Sequence, residues 1–216
     1  MSRTAKSILA LLMMFSSALA VAQDDGLAAG VAAVQHEWAR IHYQLPKDRQ
    51  DAAFTELEKR ADALLQAYPG RAEPKIWKAI VLSTHAGASG GFGALSKVKA
   101  ARDLLLEAEK IDANALDGSI YTSLGSLYYQ VPGWPVGFGD DDKAEALLKK
   151  ALQINPDGID PNYFYGDFLY QQGRSAEALR VLEKALQAPP RPARADADAG
   201  RRHEIQALIA RIKSDS

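Results

Sequence analysis

The chain has 216 residues, 47% hydrophobic and 25% charged, an ordinary globular balance that excludes disorder as its overall state. A formal net charge of -1, with no run of Lys or Arg longer than two, excludes the electrostatic footprint of a nucleic-acid binder. There is no cysteine, which excludes disulfide stapling, thiol chemistry and a cysteine-linked lipid anchor.

Residues 1–22 have the pattern of an export signal: basic Arg3 and Lys6, an apolar run over 8–15, and the small-residue site Ala20-Val21-Ala22. The apolar run falls short of the roughly 20 residues that span a bilayer. Cleavage after Ala22 is expected, giving a periplasmic or secreted product with no stable membrane anchor. That product has 24 basic against 27 acidic side chains, because the segment removes Arg3 and Lys6.

Next, Leu27, Val31, Val34, Trp38, Ile41 and Leu45 are spaced three or four apart and form one apolar stripe on a helix that Pro46 ends. Asp48 is expected to cap a second helix with Phe54, Leu57, Ala61, Leu64 and Tyr68 on one face, closed by Pro69-Gly70. A third helix carries Trp77, and a fourth carries Ala101, Leu105 and Ala108. Between them lies the glycine-rich stretch 85–96.

The second half of the chain repeats. Ala144, Leu148, Ala151 and Pro156 recur 34 residues later as Ala178, Leu182, Ala185 and Pro190. Gly125 and Gly166 are 41 apart, and an insertion over 131–139 accounts for the extra seven. Small residues at these positions let paired helices approach closely, and each proline stops a second helix. The pattern resembles the tetratricopeptide repeat family, most clearly over 159–190, with the Trp77 region as a degenerate earlier copy.

After Pro190 a Pro-, Ala- and Asp-rich stretch leads to a last helix marked by Ile205, Leu208, Ile209 and Ile212. Nine helices and no strand are therefore expected. The fold class is all-α, a right-handed solenoid of about four hairpins over 27–190, with a linker and capping helix over 191–213.

In a tetratricopeptide stack the first helix of each hairpin lines the concave face. The resemblance therefore implies a lining of Asp160, Tyr163, Asp167, Tyr170 and Gln171, then Ser119, Thr122, Ser126, Tyr129 and Gln130. In the Trp77 copy it implies Lys75, Lys78, Leu82, His85 and Ala86. Tyrosines offer contact area and a hydrogen bond together, which suits a peptide, a protein or a moderately polar ligand. Packing between repeats is the alternative for Tyr163 and Tyr170.

Gly91-Phe92-Gly93 and Gly137-Phe138-Gly139 each precede the second helix of a hairpin, as parallel devices in two inserts. Phe92, Trp134 and Phe138 either pack locally or form an aromatic rim that faces a ligand or partner. The carboxylates Asp140, Asp141 and Asp142 point in three directions from a helix start, so they cap it and hold no metal. Asp160-Pro161 reads as a helix cap followed by a first-turn proline. His36 and His42 fall off the apolar stripe and read as solvent-facing. The glycines near Ser96 and Lys97 lack a phosphate-loop ending, no nucleophile turn announces a triad, and no cofactor is called for. The chain reads as a binding protein and not an enzyme.

Pro132-Gly133-Trp134-Pro135, Gly137-Phe138-Gly139-Asp140, Lys143-Ala144, Ala151-Leu152, Asn155-Pro156-Asp157-Gly158-Ile159-Asp160 and Asn162-Tyr163-Phe164 resemble bacterial periplasmic tetratricopeptide proteins associated with TRAP-type solute transporters. That resemblance covers 119–188 and implies docking to a solute-binding subunit. The expected function is an exported adaptor that grips another protein through Thr122, Ser126, Tyr129, Gln130, Trp134, Phe138, Tyr163, Asp167, Tyr170 and Gln171. The alternative is a carrier of a small apolar ligand in a cavity closed by the two Gly-Phe-Gly inserts.

Overall fold

The computed structural model describes residues 24–215, so the export signal expected over 1–22 lies outside the described residues. Nine α-helices, and no strand, are found among those described. Helix α1 covers 24–39 and runs on into a π-helical turn, Arg40–Gln44. The others are α2 (Lys47–Ala67), α3 (Ala72–Ser89), α4 (Gly91–Ile111), α5 (Ala115–Gln130), α6 (Asp141–Ile154), α7 (Ile159–Gln171), α8 (Ser175–Leu186) and α9 (Ala195–Ser214).

Antiparallel hairpins arise because each carries an apolar face that one helix alone cannot bury. The stripe of α1 is buried at Leu27, Val31, Val34, Trp38 and Ile41, against Phe54, Leu57 and Ala61 of α2. Gly30 permits that approach, since a Cβ there would meet Leu64 Cδ1 at 2.5 Å. Later hairpins use the same device with repeated chemistry. A Cβ on Gly125 of α5 would meet Leu148 Cγ at 2.6 Å, and one on Gly166 of α7 would meet Leu182 Cγ at 2.7 Å. Both leucines are fully buried, each contributing roughly 1.5–3 kcal/mol. Ala144, Ala151, Ala178 and Ala185 are buried beside them, which is how the 34-residue spacing becomes a stack.

Several local expectations change. The first Gly-Phe-Gly is not in a loop: α3 continues to Ser89 and α4 begins at Gly91, with Gly90 alone between them. Alanines 86 and 88 favour continued helix, and left-handed Gly90 (φ 61°) and Gly91 (φ 70°) supply the reversal. The second insert, 131–140, is a true loop, so the two are not parallel devices. Asp48 lies in the first turn of α2 and makes no capping bond. Asp160 is likewise no cap, because α7 begins at Ile159 and the Asp160 side chain is engaged elsewhere. Only Asp140 behaves as read, accepting from the Lys143 amide at 3.0 Å.

Helix α5 is entered through a left-handed turn at Leu116 (φ 51°), Asp117 (φ 53°) and Gly118 (φ 79°). The first two carry side chains in a region that costs about 1–2 kcal/mol per residue. Finally, α9 does more than cap α8. It also packs on α7 and on the π-helical turn that ends α1, so the two ends of the solenoid meet.

The glycines give a direct test by chemical denaturation. Gly125→Ala and Gly166→Ala force a methyl into Leu148 or Leu182, a clash of about 1–3 kcal/mol that outweighs the helix-propensity gain of about 1 kcal/mol. Both are expected to lose stability. Gly87, on α3 with nothing within 4 Å of the added Cβ, keeps only the propensity term, so Gly87→Ala is expected to stabilise by about 0.5–1 kcal/mol.

Candidate functional site

Closure of the solenoid leaves a central, partly open cavity of about 1010 Å³, walled by the first helix of every hairpin, by α4, by the start of α2 and by α9. Trp38 of α1, Ile80 of α3, Ser126 of α5, Tyr163 of α7 and Arg201 of α9 all border it.

The seam that closes it is built on Arg201. This guanidinium has 7% of its side chain accessible and donates from Nε to Asp160 Oδ1 at 2.9 Å and from Nη1 to Glu204 Oε2 at 2.7 Å. It also lies over the rings of Tyr163 and Phe164, 4.3 and 4.8 Å from their centroids. Glu204 reaches across to the end of α1, accepting from Tyr43 Oη at 3.2 Å and meeting His42 Nε2 at 3.3 Å. Gly200 lies directly beneath Tyr43, where a Cβ would come within 2.3 Å of the ring. Arg191 completes the seam, donating from Nη1 to Asp160 Oδ2 and from Nε to Asp198 Oδ1, both at 2.8 Å.

Burial alone would raise the Asp160 carboxyl, but the charges of Arg201, Arg191 and Arg194 overcome it and hold it well below the usual carboxylate range. Glu204 follows the same logic: burial opposes ionisation, and hydrogen bonding from His42 with the Arg201 charge outweighs it.

Next to the seam is an aromatic wall. Trp38 stacks on His42 at 5.1 Å and meets Trp77 edge to face at 6.1 Å. His42 is therefore half-buried in the wall and not solvent-facing, because the π-helical turn rotates it off the helical period. Trp38 Nε1 donates to Thr84 Oγ1 at 3.0 Å. Arg194 lies over Trp77 at 5.2 Å.

Of the residues expected to bind, Thr122, Ser126, Gln130 and Tyr163 border the cavity. Tyr129, Asp167 and Gln171 do not: Tyr129 Oη donates to Asp167 Oδ2 at 2.7 Å, Gln171 Nε2 donates to the same oxygen at 3.0 Å, and the group ties α5 to α7. Burial, followed by Asp167, pushes the Tyr129 hydroxyl well above its ordinary pKa. Tyr170 donates to Asp215 Oδ2 at 2.7 Å and so fastens the end of α9. Phe138 packs edge to face on Tyr128 at 5.4 Å beneath the Arg102 guanidinium. Trp134 alone stands free, 90% exposed at the tip of the insert.

The Trp77 copy needs a larger correction. Lys78 and His85 are buried against α2, with Lys78 on Asp62 and His85 between Asp51 and Glu58, while Leu82 belongs to the core. Trp77, Ile80, Thr84, Gly87 and Ala88 border the cavity instead, a register two residues later; Ala86 is the one position of the expected five that reaches it. The residues missed altogether, Trp38, Arg191, Arg194 and Arg201, also border the cavity, Arg201 from the helix that meets the end of α1. A glycine at 200 inside an amphipathic helix, at a cost of about 1 kcal/mol against alanine, was the one local sign of a close approach there.

The paired helices have counterparts in known proteins. Residues 137–212 match the tetratricopeptide repeat family. The structure of TTC0263, a thermophilic tetratricopeptide protein of Thermus thermophilus, superposes with a TM-score of 0.56 at 18% identity, covering 93% of this chain and 96% of that one. The fold is a tetratricopeptide-type solenoid. More distant likenesses are MamA of strain AMB-1 (TM-score 0.44, 18% identity, 90% and 91% covered) and Pseudomonas aeruginosa pilF (0.37, 15%, 90% and 95%). No curated protein sequence matches the chain. Solenoids of this type are scaffolds for protein–protein interaction, and among the described residues no helix is long and apolar enough to cross a membrane.

The seam makes a prediction about acid stability. Asp160 and Glu204 have depressed folded pKa values, so their contribution is present above the unfolded carboxylate range near pH ~4 and is lost as pH falls below it. Breaking a buried ion pair costs about 3–5 kcal/mol, and 24% exposure of the Asp160 side chain puts Asp160→Asn near or below the bottom of that range. Urea denaturation from pH 7 to pH 3 is expected to show a lower plateau and a shallower acid decline in the variant.

Proposed function

We propose that the protein is an exported adaptor that docks to another periplasmic protein. The resemblance over 119–188 implies the partner class, a solute-binding subunit of a TRAP-type transporter. Export rests on the signal pattern of residues 1–22. The reading assigns the chain binding and no catalytic step.

The observation that carries it is Trp134. Leaving a large aromatic in water forgoes roughly 1.5–3 kcal/mol that burial would return, so a folded chain gains nothing for itself by displaying one. Nor does this tryptophan wave on a loose loop. Gly139 N donates to Pro132 O at 3.0 Å, Asp140 N to Tyr128 O at 2.8 Å, and Gly137 N to Gly133 O at 3.0 Å. Phe138 plugs the base, and Val136, 60% exposed, extends the apolar tip. A rigid, pre-ordered aromatic knob loses little entropy on docking and is the usual anchor of a protein interface.

A second reading is favoured by the cavity itself, whose volume is at the upper end of the range for small-molecule sites, roughly 300–1,000 Å³. On this reading the chain carries a ligand with an apolar body. The ring closure forms the cavity, and among the described side chains the two inserts contribute Gly91, Val131, Pro132 and Val136 to its edge. Native mass spectrometry of freshly purified protein is expected to show a bound small molecule; repeatedly clean apo protein counts against carriage.

For the adaptor reading, a photocrosslinker placed at Val136 in the intact protein is expected to trap one discrete exported partner of the solute-binding class. Trp134→Ala is expected to weaken that complex by about 2 kcal/mol, near thirtyfold in Kd, with the thermal transition unchanged. Unaltered affinity in a folded Trp134→Ala protein removes the knob from the interface and the proposal with it.

A further inference from the structure

The cavity has a chemical polarity that neither reading assigns. Among its bordering cations, Arg191 and Arg201 are paired with Asp160, Asp198 and Glu204, and Lys47 is exposed to solvent. Arg194 is neither: its half-buried guanidinium has no hydrogen bond or ion pair among the described residues, and it lies on the face of Trp77. Burial pulls its pKa below the ordinary guanidinium value, against the charges of Asp160 and Asp198, which act on it from a distance. Beneath it Trp77 is 3% exposed, and its indole Nε1 is buried with no acceptor. Both residues border the cavity. A donor withdrawn from water without a partner is rare and costly in a finished fold, and Trp77 Nε1 is one, next to a guanidinium with no hydrogen bond of its own. The wall contributed by α3, α4 and α5 carries the opposite chemistry at Ile80, Leu95, Val98 and Leu127.

Resting on the carrier reading, we propose that the cavity binds an amphipathic monocarboxylate, its carboxylate on Arg194 beside Trp77 and its hydrocarbon body along Ile80, Leu95, Val98 and Leu127. A guanidinium presents a planar fork of donors that matches a carboxylate with two parallel bonds, and the pairing strengthens where water is sparse. The competing occupant of an aromatic wall is an organic cation seated on the rings. That site is taken, because Arg194 already covers Trp77 and a second positive charge would be repelled. A neutral apolar ligand would fill the volume but leave the guanidinium unmatched.

The test uses the whole mature protein and three probes of one chain length, titrated by calorimetry: dodecanoate and dodecyltrimethylammonium below their micelle concentrations, and dodecanol below its solubility limit. Dodecanoate is expected to bind tightest, with dodecanol roughly tenfold or more weaker, the loss of a charge-assisted hydrogen bond. The ammonium probe is expected to be the weakest. Arg194→Gln, with its thermal transition unchanged, is expected to bring dodecanoate down to the dodecanol affinity and to leave dodecanol unaltered. Equal binding of dodecanoate and dodecanol to the wild type, or undiminished dodecanoate binding to Arg194→Gln, overturns the assignment of the head-group site while the carrier reading stands. Failure of all three probes to bind overturns both.

Discussion

The junction where the ends of the solenoid meet is organised around one guanidinium. Arg201 connects α7 through Asp160 and α9 through Glu204, and Glu204 in turn engages His42 and Tyr43 at the end of α1. A charge so deeply buried is tolerable only when every partner is present, because an uncompensated ion in the interior costs several kcal/mol. Removing any one partner at the junction therefore leaves a charge uncompensated. Its stacking on Tyr163 and Phe164 fixes the plane of the guanidinium, and with it the direction of both hydrogen bonds.

The junction can only close because the stack delivers its ends to the right place. Each hairpin contributes a small rotation set by how closely its two helices approach, and that distance is set by glycine and alanine against leucine. Gly125 on Leu148 and Gly166 on Leu182 are the same contact made twice. After four hairpins the accumulated turn brings α9 to α1, and Gly200 lets Tyr43 settle against the last helix. Small residues in the walls thus determine a cavity that none of them borders.

This division explains what could be read from the sequence. Helix positions along 27–68 and 125–190 were legible because burial imposes a local period, and Leu27 to Ile41 and the 34-residue repeat obey it. The α3 register was not, because Trp77 fits either of two positions in a degenerate repeat; the buried ion pairs of Lys78 and His85 with α2 decide it, and those partners lie 16 to 34 residues away. Asp160 looks like a cap in the string because its true partners, Arg191 and Arg201, are 31 and 41 residues downstream. Trp134 and Phe138 are four residues apart and share a loop, yet one is displayed and the other is the plug beneath it. Only three-dimensional packing separates those roles.

The insert over 131–140 gives the fold a further property. Its outer edge displays Trp134, while Val131, Pro132 and Val136 form part of the cavity rim. Short backbone bonds from Gly137 to Gly133 and from Gly139 to Pro132 make those two edges one mechanical piece. Under the adaptor and carrier readings, partner docking outside and ligand occupancy inside act on the same segment. Linkage then requires reciprocity: whatever free energy the partner gains from a filled cavity, the ligand gains from a docked partner. Adaptor and carrier are therefore compatible descriptions of one wall, and their coupling would be carried by a ten-residue loop.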